Sequence, residues 1–318
     1  MIDVQHRTIE TNGIRLHITE RGKGPLVVLC HGFPESWYSW RHQIEALSDA
    51  GFHVVAPDMR GYGKTSQPED IDQYSTFHLV GDMVGLLDAL KAENAVIVGH
   101  DWGAVVAWNA ALFRPDRFRA VAGLSVPFLP RMDVSPMAAA PRRDDAIFYW
   151  LYFQTPGVAE AELGKDIHRT IQTMLGSSFG RESSKGDVAM VPVNGGILSG
   201  KPLPPLPSWL GKEDVTFFAT EFERSGFRGP LNWYRNIERN WQLMAPFAGT
   251  RVTVPALYIA GEDDLVLRFP GISQIVPNLS TFVPGLRQKI ILPNCGHWTQ
   301  QEKAPEVSKA LIDFLRGL

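Results

Sequence analysis

The chain has 318 residues, of which 44% are hydrophobic and 20% charged, and its formal net charge is −3. This composition is typical of a globular protein and excludes bulk disorder. The small negative charge argues against a nucleic-acid-binding or polybasic membrane protein, because both need a positive excess to neutralise phosphates. Two cysteines, Cys30 and Cys295, are too few for a disulfide framework and lack the spacing of zinc ligands.

The N-terminus and the apolar runs indicate a cytoplasmic protein with no membrane span. Residues 1–7, MIDVQHR, contain no apolar stretch of the kind that directs export. The longest uncharged run, residues 269–286, contains three prolines. A membrane-spanning helix would leave backbone groups unsatisfied at those prolines, so the run predicts loops and short helices.

The first 127 residues alternate strand and helix patterns. Alternating residues on either side of Asn12-Gly13 predict a tight hairpin, because both residues accept a positive φ. Continuous apolar runs, typical of strands buried on both sheet faces, predict strands over residues 25–30, 53–57, 95–99 and 120–124. Helical spacing predicts helices over 77–90 and 104–113. This order indicates right-handed parallel crossovers.

The alternation stops after the fourth strand and resumes near the C-terminus. Helices are predicted over residues 144–153, 158–175, 215–224 and 230–243, with a proline- and glycine-rich loop over 191–207. Further strands over 255–260 and 289–292 precede a terminal helix over 305–315. We therefore predict an α/β fold with a core formed by residues 1–127 and 247–318, interrupted by a helical cap of residues 128–246.

The strongest local motif joins a buried strand to a buried helix, Gly99-His100-Asp101-Trp102-Gly103. It has the spacing of a nucleophile elbow with Asp101 in the usual serine position, although an Asp there could also cap the helix. A carboxylate that attacks a saturated carbon leaves an ester, which water can hydrolyse, whereas serine would leave a stable ether. Asp101 therefore indicates substitution at an epoxide or carbon–halogen bond.

A second motif, His31-Gly32-Phe33-Pro34-Glu35, directly follows a predicted buried strand. It predicts an oxyanion hole in which the backbone N–H of Phe33 acts together with that of Trp102. The motif taken alone could also be an ordinary turn.

Of the nine histidines, His297 follows the last predicted strand. This is where a chain with the order nucleophile, acid, histidine places its catalytic base. His100 should point away from its neighbour Asp101, and His31 belongs to the oxyanion loop. The other six are predicted to be surface or packing residues: His6, His17, His42, His53, His78 and His168.

The acid that orients the base should follow a core strand. The loop after residues 120–124, Ser125-Val126-Pro127, offers no carboxylate. The loop after residues 255–260 offers three, Glu262, Asp263 and Asp264, and local sequence does not choose among them.

The chain resembles the soluble-type epoxide hydrolases of the α/β-hydrolase fold along nearly its whole length. The resemblance rests on HGFPESWYSWR (31–41), DMRGYG (58–63), GHDWG (99–103), YWLYFQTPGVAEAEL (149–163), SGFRGPLNWYRNIERNW (225–241) and CGHWTQ (295–300). It implies that Asp101 is the nucleophile and His297 the base. It also implies that Asp264, rather than Asp263, is the acid.

The resemblance further implies that Tyr149 and Tyr234 in the cap activate the epoxide oxygen. A protonated phenol can hydrogen-bond the alkoxide that forms on ring opening and give it a proton. From the residues alone, both tyrosines could equally be core aromatics, and Tyr152 is as plausible a candidate.

Larger animal members of this family carry an extra N-terminal phosphatase-like domain. This chain begins at the hydrolase core, so we expect the single-domain form without that second activity. The nine tryptophans and seventeen phenylalanines predict a large aromatic surface between core and cap. Its pocket is expected to be lined by Pro34, Trp150, Phe153 and Trp298, with Trp150 narrowing it.

These features predict hydrolysis of a small apolar epoxide to a vicinal diol through an ester on Asp101, with no metal or organic cofactor. The alternative is a haloalkane or haloacid dehalogenase that uses the same Asp101, His297 and Asp264. A non-catalytic receptor on the same fold is a third possibility, which the complete set of catalytic residues disfavours. Nucleic acids and membranes are not expected partners, and the sequence does not decide whether the chain forms a homodimer.

Overall fold

A computed structural model describes residues 3–176 and 189–318. The first two residues of the N-terminal segment and residues 177–188 of the predicted cap lie outside the described residues. The strands are β1 (Gln5–Thr11), β2 (Ile14–Arg21), β3 (Leu26–Cys30), β4 (His53–Pro57), β5 (Ala95–His100), β6 (Phe118–Leu124), β7 (Ala146–Phe148), β8 (Met190–Pro192), β9 (Ala256–Gly261) and β10 (Leu286–Leu292).

Eight of these strands form one sheet in the order β1-β2-β4-β3-β5-β6-β9-β10. The pairs β1–β2 and β2–β4 are antiparallel, and the other neighbours are parallel. Every residue of β3 and β5 is buried, because helices cover both faces of a parallel sheet. The mostly parallel sheet predicted from the apolar runs is confirmed.

The hairpin between β1 and β2 forms at the predicted dipeptide. Asn12 and Gly13 have φ values of 45° and 74°, so both central residues have the positive φ that a two-residue hairpin turn favours. Thr11 pairs directly with Ile14 across the turn.

The helices of the core lie on the two faces of the sheet. They are α1 (Arg41–Asp49), α2 (Thr76–Ala89), α3 (Trp102–Phe113) and, at the C-terminal end, α13 (Thr299–Glu302) and α14 (Ala304–Arg316). Val27 and Leu29 of β3 share a hydrophobic cluster with α1 and α14. Val28 and Cys30 share the other cluster with α2 and α3. The alternation of β3 side chains thus separates two hydrophobic layers.

A mainly helical insertion separates β6 from β9. Its helices are α4 (Pro136–Ala139), α5 (Tyr149–Tyr152), α6 (Val158–Leu163), α7 (Ile167–Gly176), α8 (Lys212–Ser225), α9 (Arg228–Arg235) and α10 (Ile237–Leu243), and β7 pairs with β8 inside it. Two further short helices, α11 (Ile272–Ile275) and α12 (Leu279–Phe282), follow β9 in the run where loops and short helices were predicted. The limits of the cap, 128 and 246, stay a prediction. Within residues 3–176 and 189–318, no helix is both long and apolar enough to cross a membrane.

Three helices predicted in the insertion need correction, and one helix of the core, α1, was not predicted. Residues 144–153 form β7 and the single turn α5, because β7 pairs with the distant β8, a contact that local periodicity does not contain. The helix predicted over 158–175 is divided into α6 and α7 where the Asp166 side chain accepts the Arg169 N–H and starts a new helix. The helix predicted over 230–243 is divided into α9 and α10 at Asn236.

The second half of the insertion is hydrogen-bonded to the core. The Trp233 indole N–H donates to the Arg60 carbonyl at 3.0 Å. The Thr76 N–H, at the start of α2, donates to the Asn240 side chain at 2.8 Å. These contacts fix α9 and α10 above the sheet, and α9 carries Tyr234.

Candidate active site

Asp101 lies on the sharp turn between β5 and α3. Its φ of 53° and ψ of −120° are uncommon for a residue with a side chain. A Cβ on Gly99 would lie 2.0 Å from the Gly103 carbonyl oxygen, and one on Gly103 would lie 2.0 Å from the Cys30 carbonyl oxygen. Strand and helix therefore approach too closely for larger residues at these positions, and the turn projects the carboxylate of Asp101 above the carboxyl end of the sheet.

One oxygen of Asp101 is held by the loop after β3. The Phe33 N–H donates to Asp101 Oδ1 at 2.9 Å. Gly32 permits this approach, since a Cβ there would lie 2.4 Å from the same oxygen. Trp102, the second predicted donor, is the first residue of α3, and the first N–H groups of a helix have no partner within the helix.

His297 contacts Asp264 with one ring nitrogen and faces Asp101 with the other. Nδ1 lies 2.9 Å from Asp264 Oδ1, and Nε2 lies 3.6 Å from Asp101 Oδ2. Asp264 is completely buried and His297 is 8% exposed. Because Nδ1 lies at hydrogen-bond distance from a buried carboxylate, it carries a proton, and Nε2 is the nitrogen directed at Asp101.

The structure brings only one of the three candidate acids to His297. Glu262 is exposed and Asp263 is half-buried at the cavity wall, whereas the side chain of Asp264 reaches the imidazole. Asp264 Oδ1 also accepts the Val266 N–H at 2.9 Å. Of the three carboxylates among which the local sequence did not choose, Asp264 is thus the one in contact with His297. Its role as the acid stays a prediction.

Electrostatics couples the three groups. Burial disfavours the charged form of His297, but attraction to Asp264 and Asp101 outweighs it and raises the pKa of His297 well above its usual value. Burial likewise opposes ionisation of Asp264, yet the charge of His297 and the hydrogen bonds to the carboxylate lower its pKa. Asp264 is therefore an anion next to a histidine that readily holds a proton.

Tyr149 and Tyr234 lie opposite Asp101 on the insertion. Their ring centroids are 5.7 Å apart, and the Tyr234 ring packs edge-on against Trp102 at 5.0 Å. Burial, with the nearby charge of Asp101, raises the pKa of Tyr149, and burial together with Tyr149 and Asp101 raises that of Tyr234. Both phenols are thus protonated at neutral pH. The Tyr152 hydroxyl instead donates to Glu162 at 2.7 Å.

A cavity of 890 Å³ connects the core groups with the insertion, a size that suits a small organic ligand. The predicted site residues in its wall are Phe33, Asp101, Tyr149, Phe153, Tyr234, His297 and Trp298. Two residues expected at the pocket lie outside this wall. The Trp150 ring packs on Phe148 at 5.0 Å, and Pro34 is buried.

The sequence model of the α/β-hydrolase fold family matches residues 25–304. Epoxide hydrolase A of Mycobacterium tuberculosis is 48% identical over 98% of this chain and 97% of its own length. The crystal structure of epoxide hydrolase A from Mycobacterium thermoresistibile superimposes with a TM-score of 0.93, at 48% identity, over 99% of both chains. The chain belongs to the epoxide hydrolases of the α/β-hydrolase fold. It also matches the rat bifunctional epoxide hydrolase 2 at 47% identity, over 99% of this chain and 56% of that one.

In this epoxide hydrolase His100 points away from Asp101, as expected, into a buried network. Its Nδ1 lies 2.8 Å from Glu35 Oε2, and its Nε2 lies 2.8 Å from the carbonyl oxygen of His297. Glu35 also accepts the Gly32 N–H at 2.9 Å and the Gln300 side chain at 2.8 Å. The network thus connects the loop after β3 with the loop that carries His297.

Sequence reasoning missed two residues of the enzyme's site. The motif that follows β3 contains Glu35, but its contact with His100 joins residues far apart in the chain and has no local signal. Ser125 was passed over because its loop offers no carboxylate. Its hydroxyl lies 2.9 Å from His297 Nδ1, and no local pattern reveals a contact between residues so distant in the chain.

Proposed function

We propose that the enzyme converts an apolar epoxide and water into a vicinal diol through a covalent ester on Asp101. The observation that carries this proposal is the different environment of the two Asp101 oxygens. Oδ1 accepts the Phe33 N–H, whereas Oδ2 faces His297 at 3.6 Å. A carboxylate held in this way has one oxygen fixed in an oxyanion hole and the other free to attack.

In the first step, Oδ2 of Asp101 attacks a ring carbon from the side opposite the ring oxygen. The carbon–oxygen bond of the ring breaks, and the alkoxide that forms takes a proton from Tyr149 or Tyr234. Both phenols have raised pKa values because they are buried, so they enter the reaction protonated. Oδ1 becomes the carbonyl oxygen of the ester and keeps its bond to Phe33.

In the second step, His297 takes a proton from water, and the hydroxide attacks the ester carbon. The charge develops on Oδ1, where the Phe33 N–H already points. The bond between the ester carbon and Oδ2 then breaks, and the departing alkoxide takes the proton from His297, so the diol leaves with the former Oδ2. The carboxyl group keeps the oxygen of water, and its proton returns to the phenolate left by the first step, which restores Asp101 and the tyrosine. Ester formation also removes the Asp101 charge, which lowers the pKa of His297 and prepares it as a base.

The wall of the cavity supports an apolar substrate. Phe33, Phe153 and Trp298 line the same cavity as Asp101 and His297, and the two phenols supply hydrogen-bond donors. A dehalogenase with the same acidic nucleophile would release halide, which needs no phenolic proton donor. Measuring halide release from haloalkanes beside diol formation from epoxides separates the two reactions.

The decisive experiment traps the ester. The His297→Gln variant is incubated with an epoxide, and the peptide containing Asp101 is examined by mass spectrometry. We expect that peptide to gain the mass of the epoxide, and an unmodified peptide would contradict the scheme. In the unaltered enzyme, a single turnover in ¹⁸O-water should label Asp101 and leave the diol unlabelled. A labelled first diol would indicate direct attack of water on the ring.

The tyrosines are tested separately from the triad. Tyr149→Phe is expected to slow ester formation about 100-fold, since it removes a proton donor to the alkoxide. Tyr152→Phe is the matched control, because its hydroxyl is bonded to Glu162 and should change ester formation less than about twofold. Equal losses in the two variants would remove Tyr149 from its proposed role.

A further inference from the structure

Ser125 is the first residue after β6, and its backbone is fixed on both sides. It is completely buried with a φ of 68°, a conformation that costs free energy for a residue other than glycine. Its N–H donates to the Ile259 carbonyl at 2.8 Å, and its own carbonyl accepts the Tyr258 hydroxyl at 2.8 Å. The strand β9 therefore holds Ser125 in this strained position.

The side chain of Ser125 contacts the imidazole of His297. Ser125 Oγ lies 2.9 Å from Nδ1, the nitrogen that also lies 2.9 Å from Asp264 Oδ1. Because Nδ1 bonds a carboxylate, its proton is shared between that carboxylate and the serine oxygen. The hydroxyl of Ser125 is also one of the groups that lower the pKa of Asp264.

Contacts with both Ser125 and Asp264 constrain the orientation of the His297 ring more than a contact with Asp264 alone. With Asp264 alone, the imidazole could rotate about the line from Nδ1 to Oδ1 and move Nε2 away from Asp101. Ser125 comes from β6 and Asp264 from the end of β9, two adjacent parallel strands. Contacts from both strands fix the plane of the ring and keep Nε2 directed at Asp101.

We propose that Ser125 is a positioning residue that holds His297 for attack of water on the ester. The inference rests on the proposed function, and it concerns only the second step. Ring opening uses Asp101, Tyr149 and Tyr234, and Ser125 contacts none of them through a hydrogen bond found in the described residues. Removal of the hydroxyl should therefore slow hydrolysis of the ester and leave its formation unchanged.

This separation has a kinetic signature. When only the second step of a two-step reaction is slowed, kcat and KM fall together and kcat/KM keeps its value. Loss of one hydrogen bond to a charged group corresponds to about a tenfold lower rate of hydrolysis. A merely structural role would instead lower kcat/KM, since less of the protein would be competent for ring opening.

Two substitutions separate the hydroxyl from the backbone. Ser125→Ala removes the hydroxyl and keeps the strain, whereas Ser125→Gly removes both. We expect the same loss of kcat and KM in both variants. Ser308→Ala is the matched control, because Ser308 is a buried serine of α14 whose hydroxyl accepts the side-chain N–H of Gln43 on α1. Among the described residues it makes no hydrogen bond to His297. The control variant should leave both constants unchanged.

The experiment measures formation and decay of the ester in single turnovers, with rapid quenching and mass spectrometry of the Asp101 peptide. Ester formation at the parent rate with about tenfold slower decay in both Ser125 variants supports the proposal. Decay at the parent rate, or a glycine variant that regains full turnover, overturns it. If the unaltered enzyme forms no ester at all, the proposed function fails instead, and the two failures are distinguished.

Discussion

Two buried carboxylate–histidine pairs lie side by side in this enzyme, and only one of them reaches Asp101. Glu35 and His100 are 2.8 Å apart, Asp264 and His297 are 2.9 Å apart, and the two imidazole rings are separated by 4.8 Å. Both carboxylates are completely buried. What differs is the second ring nitrogen, since Nε2 of His100 faces a backbone carbonyl and Nε2 of His297 faces Asp101.

A buried carboxylate beside a histidine therefore does not by itself indicate a catalytic base. In the Glu35–His100 pair, both nitrogens of the ring are used in hydrogen bonds that connect loops. In the Asp264–His297 pair, the second nitrogen faces Asp101, and the proposed mechanism uses it to take a proton from water. The contact of the second nitrogen therefore decides between a structural and a catalytic role.

The largest expected effect comes from substituting the two histidines in turn. His297→Gln should lower kcat about 10³-fold, because a general base of this kind contributes between 10²- and 10⁴-fold. His100→Gln should keep kcat within about tenfold, since a glutamine amide can still donate to Glu35. Steady-state diol formation measures both, and losses of similar size would break the distinction between the pairs.

The second effect concerns stability and pH. Burial opposes ionisation of Glu35, but His100 and the hydrogen-bond donors outweigh it and lower its pKa from 4.5 to about 2. A carboxylate with a lowered pKa in the folded state stabilises the protein fully above the unfolded value, and this contribution is lost as the pH falls from 4.5 toward 2. The shift corresponds to about 3 kcal/mol.

Urea unfolding at pH 7 and at pH 3 tests whether ionised Glu35 stabilises the folded protein. The unaltered enzyme should lose more stability between the two pH values than Glu35→Gln does, because the variant lacks the ionisable group. Parallel losses in the two proteins would show that Glu35 does not carry this part of the pH dependence.

The smallest effect is a shift in the pKa of His297. The charge of Asp101 is one cause of the raised pKa of His297, so Asp101→Asn should lower that pKa. Nitrogen-detected NMR titration of the imidazole measures the change. Glu35→Gln should change the pKa of His297 much less, because Glu35 is hydrogen-bonded to the neighbouring His100 and not to His297. A larger shift in Glu35→Gln than in Asp101→Asn would mean that the two pairs titrate together.

The sequence predicts what short stretches of chain determine by themselves. Buried strands and the elbow around Asp101 follow from apolar runs and glycine spacing, because strand, turn and helix are adjacent in the chain. The position of the Phe33 N–H follows in the same way from the loop after β3. Tight backbone packing at Gly99 and Gly103 makes those patterns specific.

Contacts between distant segments are what the sequence does not contain. Ser125 and His297 are 172 residues apart, and Glu35 and His100 are 65 apart, so no local pattern links them. The choice of Asp264 over Asp263 depends on which neighbouring side chain turns inward. Tyr149 and Tyr152 share one turn of helix, and only tertiary packing sends the first to the cavity and the second to Glu162.

The residues of the site come from two parts of the chain with different freedom to vary. Under the proposed mechanism, attack of water needs only side chains and N–H groups at the carboxyl ends of the strands, whereas ring opening also needs Tyr149 and Tyr234 from the insertion. Substitutions in the insertion can therefore change which epoxide is opened, and at which carbon, while the core residues that hydrolyse the ester and regenerate Asp101 stay the same. Directed evolution of selectivity should accordingly succeed first in the cavity wall that the insertion supplies.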